Sequence, residues 1–193
     1  MQKVPNPKLD LFVLRDFLDS ETCLALIERI DERRRPSEIA DDIGVAGFRT
    51  SETCDLDWRD ALVAEVDRKI AALLGLDLAA SEPLQGQRYS VGQEFRAHTD
   101  TFEPGGYDYH VHTAETGQRT WTAMVYLNVP EDGGATRFKA IGKTIQPEAG
   151  KLVAWNNLMP GGGTPNPATM HQGMKVRRGV KYIVTKWFRE RSG

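Results

Sequence analysis

The sequence HQGMKVRRGVKYIVTKWF, residues 171–188, contains two runs rich in β-branched and aromatic residues, on either side of a polar segment with a glycine. Runs of this kind are typical of strands, and residues 176–179 between them are predicted to form a turn. His171 and Lys181 are therefore expected to lie on paired strands. Both side chains can take part in a reaction. Whether they do depends on which face of each strand points into the interior.

Strand alternation determines where Lys181 points, because every second side chain of a strand lies on the same face. One face carries Lys181, Ile183, Thr185 and Trp187, and the other carries Tyr182, Val184, Lys186 and Phe188. If the first face lines the interior, Lys181 is a buried cation that needs an anion, such as a dicarboxylate. If the faces are reversed, Lys181 is solvated and Lys186 points inward. The pattern alone leaves both arrangements open.

Working outward, the C-terminal part of the chain, residues 81–193, contains a series of short β-rich runs separated by Gly, Pro and Asp turns. These runs are LQGQRYS, EFRAHTD, WTAMVYLNV, ATRFKA, KTIQP, KLVAW, MHQGMKV and VKYIVTKWF. Short strands at this close spacing indicate an antiparallel sandwich or barrel, with a jelly roll among the candidates.

The N-terminal part of the chain, residues 1–80, has a different pattern, which is mainly helical. One apolar stripe follows a helix N-cap at Asp19 or Ser20 and is stopped by Pro36. A second stripe begins after Asp57 and is closed by Gly75. A run before the first helix, LFVLRDFL, fits a short strand. We expect these helices to cover one sheet of the barrel.

Composition narrows the possible functions. The chain has 193 residues, which suits a single domain over residues 1–193, and 40% of them are hydrophobic. A net charge of −2 makes nucleic acid an unexpected partner. The N-terminus lacks the apolar core of a signal peptide and no stretch is long enough to span a membrane, so a cytoplasmic location without membrane contact is expected. Cys23 and Cys54 suggest two buried or half-buried thiols and no disulfide framework.

The chemistry centres on His98-Thr99-Asp100. On an extended strand, residues i and i+2 point to the same face, so this histidine and carboxylate can bind one metal ion together. His171, on a distant strand, could complete a facial triad of two histidines and one carboxylate, which leaves open positions and suits iron(II) oxygenase chemistry. His-x-Asp alone occurs in many unrelated proteins. Lys181, ten residues after His171, makes the pattern more specific.

Asp108, His110 and His112 also alternate and form a second possible metal cluster. They lie in a long polar loop, residues 101–119, that follows Asp100 directly. We interpret this loop as surface-exposed or substrate-facing, with zinc binding as the alternative.

The C-terminal part of the chain resembles the catalytic domain of prolyl 4-hydroxylases, within the 2-oxoglutarate/iron(II) oxygenase superfamily. The segments that carry the resemblance are QRYSVGQEFRAHTD, QRTWTAMVYLN, DGGATRF and HQGMKVRRGVKYIVTKWF. The resemblance implies an α+β fold: a double-stranded β-helix (jelly-roll) catalytic core over residues 81–193, with N-terminal helices of a support region, residues 1–80, packed on one sheet. The Arg49-Thr50-Ser51 segment resembles one found near the substrate groove of that family.

The resemblance also implies roles for individual residues. The positions that match the family's metal ligands are His98, Asp100 and His171. The positions that match its cosubstrate pocket are Lys181, for the distal carboxylate of 2-oxoglutarate, Tyr89, whose hydroxyl contacts the same molecule, and Thr122 and Trp187, which line the pocket. Plain core packing is the alternative for Tyr89, Thr122 and Trp187.

The activity implied by the resemblance is hydroxylation of a C–H bond by an enzyme that binds iron(II) and consumes 2-oxoglutarate and dioxygen. The implied coproducts are succinate and CO2, with ascorbate as a supporting reductant. The expected substrate is a prolyl residue in a peptide or protein, against which Tyr107 and Tyr109 could stack. The alternatives are a free amino acid or other small molecule, a cupin-like metal enzyme without 2-oxoglutarate, and a catalytically silent jelly-roll metal-binding protein. The sequence indicates no oligomeric state.

Overall fold

The N-terminal helices form where their apolar stripes and caps predict them. In the computed structural model, which describes residues 1–37, 48–106 and 109–193, helix α1 spans Ser20–Arg33 and helix α2 spans Ala61–Leu74. The Asp19 carboxylate caps α1 by accepting a hydrogen bond from the Thr22 amide at 2.7 Å. Gly75 ends α2 at φ 66°, a left-handed conformation that glycine adopts without a side-chain clash.

Fourteen strands and a third, short helix make up most of the rest of the described residues. The helix, α3, spans Tyr109–Thr113. The strands are β1 Gln2–Lys3, β2 Leu11–Leu14, β3 Arg35–Pro36, β4 Glu52–Asp55, β5 Gln85–Tyr89, β6 Phe95–His98, β7 Arg119–Tyr126, β8 Asp132–Gly133, β9 Thr136–Phe138, β10 Lys143–Ile145, β11 Leu152–Asn156, β12 His171–Gly173, β13 Val176–Arg178 and β14 Lys181–Arg189. Each of the eight predicted C-terminal runs overlaps one of these strands.

The strands form a large and a small antiparallel sheet. The order in the large sheet is β1-β2-β11-β7-β14-β5-β4-β3, and the order in the small sheet is β10-β9-β12-β6. A two-stranded ribbon of β13 and β8 stands beside them. This is the predicted double-stranded β-helix, or jelly roll, in which many neighbouring strands, such as β11 and β7, are not consecutive in the sequence.

The large sheet has an apolar core on each face. One core packs α1 and α2 against side chains such as Val184 and Phe188 of β14. Gly86 on β5 permits this close approach, because an added Cβ there would clash with Ile30 of α1. The second core lies between the sheets and joins Ile183 of the large sheet to Phe138 of the small one. The helices therefore cover one sheet, as predicted, and leave its other face to form a site.

The segment predicted to be a turn, residues 176–179, is instead mostly strand β13, and this changes the relation between His171 and Lys181. His171 lies on β12 of the small sheet, and Lys181 lies on β14 of the large sheet. The prediction that their strands pair was therefore wrong. The fully buried Val176 pairs with Gly133 of β8, so the chain crosses from one sheet to the other through this ribbon.

The N-terminal part, residues 1–80, is more than a helical support, because β1, β2, β3 and β4 join the large sheet. The predicted strand at LFVLRDFL is β2. Helix α1 ends before Pro36, since Arg35 and Pro36 pair with β4. Cys23 and Cys54 are buried free thiols, as expected. In the described part of the chain, no helix combines the length and apolar composition needed to cross a membrane.

Candidate active site

The three predicted metal ligands meet at the edge of the small sheet. His98 at the end of β6 is directly opposite His171 at the start of β12, and their ring centroids are 4.3 Å apart. Asp100 follows two residues after His98 and is buried. Potential ligand atoms of the three side chains all lie within 4.8 Å of one another, and no other trio of this kind occurs in residues 1–37, 48–106 and 109–193.

Hydrogen bonds to the backbone orient both imidazole rings. His98 Nδ1 lies 2.7 Å from the carbonyl oxygen of Arg96, and His171 Nδ1 lies 3.0 Å from that of Thr169. A carbonyl can only accept, so each Nδ1 carries the proton and each Nε2 keeps its lone pair for a metal. His98 Nε2 accordingly faces Asp100, with 3.7 Å to Oδ1.

The charges of the trio also suit a divalent metal. Burial, together with the neighbouring His171, lowers the pKa of His98 to about 3, so its ring is neutral at physiological pH. Burial opposes ionisation of Asp100, but the two histidines and the Arg119 guanidinium outweigh it and lower the pKa of its carboxyl. Two imidazole nitrogens and one carboxylate match the facial triad of iron(II) oxygenases.

Lys181 enters the same cavity from the large sheet. Its side chain is 1% exposed, and Nζ lies 5.0 Å and 5.3 Å from the ring centroids of Tyr89 and Tyr126. Burial lowers the pKa of Lys181 to about 7, and no carboxylate of the described residues offsets this. The alternative in which Lys181 is solvated is therefore wrong, and the buried amine calls for an anionic ligand.

The predicted site residues all line one cavity between the sheets. These residues are His98, Asp100, His171, Lys181, Tyr89, Thr122 and Trp187. Ile183 and Thr185 line it too, so the predicted inward face of β14 is confirmed. Lys186, on the opposite face, pairs with Asp67 of α2 at 2.8 Å.

The comparisons with known proteins agree with this geometry. The model of the 2OG-Fe(II) oxygenase superfamily matches residues 84–189, more than half of the chain. The chain belongs to this superfamily. The three candidate metal ligands and Lys181 all lie inside the matched segment.

Several prolyl 4-hydroxylases are similar in sequence to this oxygenase. Prolyl 4-hydroxylase subunit alpha-1 of Gallus gallus is 32% identical over 150 residues, which cover 76% of this chain and 28% of the relative. Prolyl 4-hydroxylase 13 of Arabidopsis thaliana is 26% identical over 211 residues, which cover 97% of this chain and 73% of the relative. The predicted resemblance to prolyl 4-hydroxylases is therefore confirmed, although the chain spans little more than a quarter of the chicken relative.

Solved structures show the same fold. The viral collagen prolyl hydroxylase of Paramecium bursaria Chlorella virus-1, in a 2OG complex, superposes with a TM-score of 0.72 at 24% identity and covers 93% of this chain and 95% of its own. The Pseudomonas putida prolyl-4-hydroxylase has a TM-score of 0.62 at 24% identity, covering 95% and 93%. A Trichoplax adhaerens prolyl hydroxylase, in complex with a hypoxia inducible factor peptide fragment, has a TM-score of 0.68 at 14% identity, covering 93% and 83%.

The lining of the oxygenase cavity also includes polar side chains that the sequence analysis missed, such as Gln87 and Trp155. Gln87 Oε1 accepts a hydrogen bond from the Tyr89 hydroxyl at 2.7 Å. The indole Nε1 groups of Trp155 and Trp187 are buried without a hydrogen-bond partner in the described part of the chain. Two buried, unused donors in a cavity that already holds a free cation favour a ligand rich in acceptor oxygens.

Arg49, predicted to border a substrate groove, lies beside the metal trio. Its backbone bridges that of Phe95, and its guanidinium lies 4.9 Å from the Phe95 ring, which itself stacks on His98 at 3.5 Å. The guanidinium donates hydrogen bonds to Ser51 Oγ, at 3.1 Å, and to Thr53 Oγ1, at 3.0 Å. The segment therefore forms a wall next to the predicted iron ligands.

The second histidine pair lies outside this trio. Tyr107 and Asp108 lie outside the described residues, so the predicted Asp108 cluster has no structural description. His110 is exposed on α3, and the His112 ring stacks on Phe102 with 4.7 Å between centroids.

The loop after Asp100 is anchored through Phe102. The side-chain amide of Gln118 hydrogen-bonds both the backbone nitrogen and the backbone oxygen of Phe102, each at 2.8 Å. The guanidinium groups of Arg119 and Arg189 lie over its ring at 4.8 Å and 4.9 Å. Glu82 binds both groups, at 2.6 Å and 2.8 Å, so one partly buried carboxylate holds the loop beside the site.

Proposed function

We propose that this chain is a 2-oxoglutarate- and iron(II)-dependent dioxygenase that hydroxylates a C–H bond and releases succinate and CO2. The observation that carries the proposal is the shared cavity of the His98–Asp100–His171 trio and Lys181. A metal-binding protein without an anionic cosubstrate would have no use for a buried amine that lacks a carboxylate partner.

The residues of the chain would divide the work between them. His98, Asp100 and His171 would hold iron(II), and Lys181 would pair with the distal carboxylate of 2-oxoglutarate. When bound, iron(II) and 2-oxoglutarate would supply the electrons that activate dioxygen, and the protein would supply binding, orientation and a dry surrounding. Ascorbate would serve as the reductant that keeps the iron ferrous.

We further propose that the substrate is a prolyl residue within a peptide or protein. The sequence relatives are named prolyl 4-hydroxylases, and one structure of the same fold was solved with a peptide. The Arg49 wall and the anchored loop after Asp100 leave the metal trio between two surface segments, where an extended chain could lie. Proline-rich peptides are already extended and lose little entropy on docking, so they are the first substrates to test.

The decisive experiment measures succinate formed from 2-oxoglutarate by the purified protein with iron(II) and ascorbate. Parallel reactions contain a proline-rich peptide, free L-proline or no substrate, and mass spectrometry locates the added oxygen atom. We expect peptide-stimulated turnover in the wild type and none in His171→Ala. The double variant His110→Ala/His112→Ala is the matched control and should keep its iron.

The outcomes separate the alternatives. Hydroxylation of free L-proline but of no peptide would replace the peptide substrate with a small molecule and keep the oxygenase. Iron binding without any succinate would leave a catalytically silent jelly-roll protein. Loss of iron from the His110/His112 double variant, with retention in His171→Ala, would overturn the ligand assignment.

A further inference from the structure

A chain of three buried side chains stands behind the metal trio. Asn157 Nδ2 donates to Thr122 Oγ1 at 2.8 Å, and Thr122 Oγ1 donates to Asp100 Oδ2 at 2.7 Å. The exposed fractions are 0% for Asn157, 0% for Thr122 and 6% for Asp100. The three residues come from three different strands or their ends, so the contact is built by the fold.

The direction of these hydrogen bonds is fixed by chemistry. An ionised Asp100 can only accept, so the single hydroxyl proton of Thr122 must point to it. Thr122 can then only accept from its other neighbour, and Asn157 must present its NH2 group. The amide oxygen of Asn157 is left buried without a partner in the described residues. A leucine of similar size would avoid burying such an oxygen, so the amide of Asn157 lowers the stability of the fold at this position.

The hydrogen-bond chain makes the two oxygens of Asp100 different. Oδ2 is engaged by Thr122, whereas Oδ1 faces His98 Nε2 at 3.7 Å. We infer that Thr122 and Asn157 are positioning residues that hold Asp100 as a one-oxygen metal ligand. This inference rests on the proposed metal site and gives Thr122 a role other than lining the cosubstrate pocket.

One-oxygen binding matters because of the number of free metal positions. A facial triad leaves about three of six positions open. A chelating cosubstrate that binds through two atoms, plus one further ligand, needs all of them. A carboxylate that turned to bind through both oxygens would occupy one of these positions. A hydrogen bond from Thr122 to Oδ2 opposes that rotation.

The test counts the open positions directly and needs no turnover. Mn(II) is bound to the wild type, Thr122→Val, Thr122→Ser and Asn157→Leu, and water-proton relaxation gives the number of exchangeable waters on the metal. We expect about three waters in the wild type and in Thr122→Ser, and one fewer in Thr122→Val. Metal affinity should fall about 10- to 100-fold in Thr122→Val and less in Asn157→Leu. Thermal unfolding of each variant shows whether it is folded.

Each result decides the inference. The same water number and affinity in Thr122→Val as in the wild type would overturn it and leave the metal site standing. A wild type that binds no metal would overturn the metal site and the inference together. If Thr122→Val does not fold, Asn157→Leu carries the decision, because an unchanged water number and affinity there would remove the amide from any positioning role.

Discussion

Binding of 2-oxoglutarate should weaken as the pH rises above about 7. Burial lowers the pKa of Lys181 to about 7, and the carboxylate of the cosubstrate needs the protonated amine. Below pH 7 the amine is mostly protonated before the cosubstrate binds. Well above pH 7 it must take up a proton on binding, which makes the free energy of binding about 1.4 kcal/mol less favourable per pH unit. Because the amine is half protonated at its pKa, the dissociation constant should rise about 15-fold between pH 7 and pH 8.5, and its slope should approach about tenfold per pH unit at the upper end.

Other groups around the amine do not titrate in this range. Tyr89 of β5 and Tyr126 of β7 face Lys181, and burial raises the pKa of both phenols. Both rings therefore stay neutral, and no described carboxylate pairs with the amine. The pH response of cosubstrate binding should then belong to Lys181 alone.

Calorimetric titration of 2-oxoglutarate into the anaerobic iron(II) protein measures this response. Buffers with different ionisation enthalpies give the protons taken up, which should increase from near zero at pH 6 towards one at pH 8.5. Lys181→Arg is the matched control, because a guanidinium stays protonated throughout and should give a flat profile, even at lower affinity. Equal slopes in the wild type and Lys181→Arg would refute the reasoning.

Three further predictions concern the buried charges. Lys181→Met should raise the free energy of unfolding of the ligand-free protein by about 2–4 kcal/mol near pH 7.5, because it removes a buried amine whose pKa is lowered on folding; urea unfolding that shows a loss would contradict this. Asp67→Ala should lower that free energy by about 3–5 kcal/mol, because Lys186 loses its partner at 2.8 Å; an effect below about 1 kcal/mol would be typical of an exposed pair. Glu82→Gln should speed hydrogen exchange at the Phe102 amide, because the two guanidiniums over that ring lose their shared carboxylate; an unchanged exchange rate would count against the anchor.

Local periodicity in the sequence predicted the parts of the site that lie on single strands. Alternation along β14 put Lys181 and Trp187 on one face, and the structure shows that this face points inward. The i, i+2 rule brought His98 and Asp100 together, although β6 ends at His98 and Asp100 lies just beyond it. The inference for β14 succeeds because a strand fixes the direction of every second side chain, whatever the rest of the chain does. Helix caps are local in the same way, which explains the success at Asp19 and Gly75.

The errors and omissions come from pairings between distant segments. Strands β13 and β8 are too short to have a period that a sequence pattern could reveal. Arg177 and Asp132, which join them at 2.6 Å, are far apart in the sequence. Asn157 likewise reaches Thr122 from a distant segment, and one asparagine after a strand has no distinguishing local pattern. Knowledge of the sheet order would have brought Asn157 close to Thr122, because Trp155, two residues before Asn157, pairs with Thr122.

The two lysines of β14 show how the structure separates support from function. Both are buried, five positions apart and on opposite faces of one strand. Lys186 meets Asp67 of α2, so its charge is matched within the fold and ties the helix layer to the sheet. Lys181 meets two aromatic rings and, among the described residues, no carboxylate. Burying an unmatched amine lowers stability, and the fold tolerates it on the face that also holds the metal trio. The missing anion is therefore expected to arrive as a ligand, and removing each lysine should have opposite effects on the stability of the ligand-free protein.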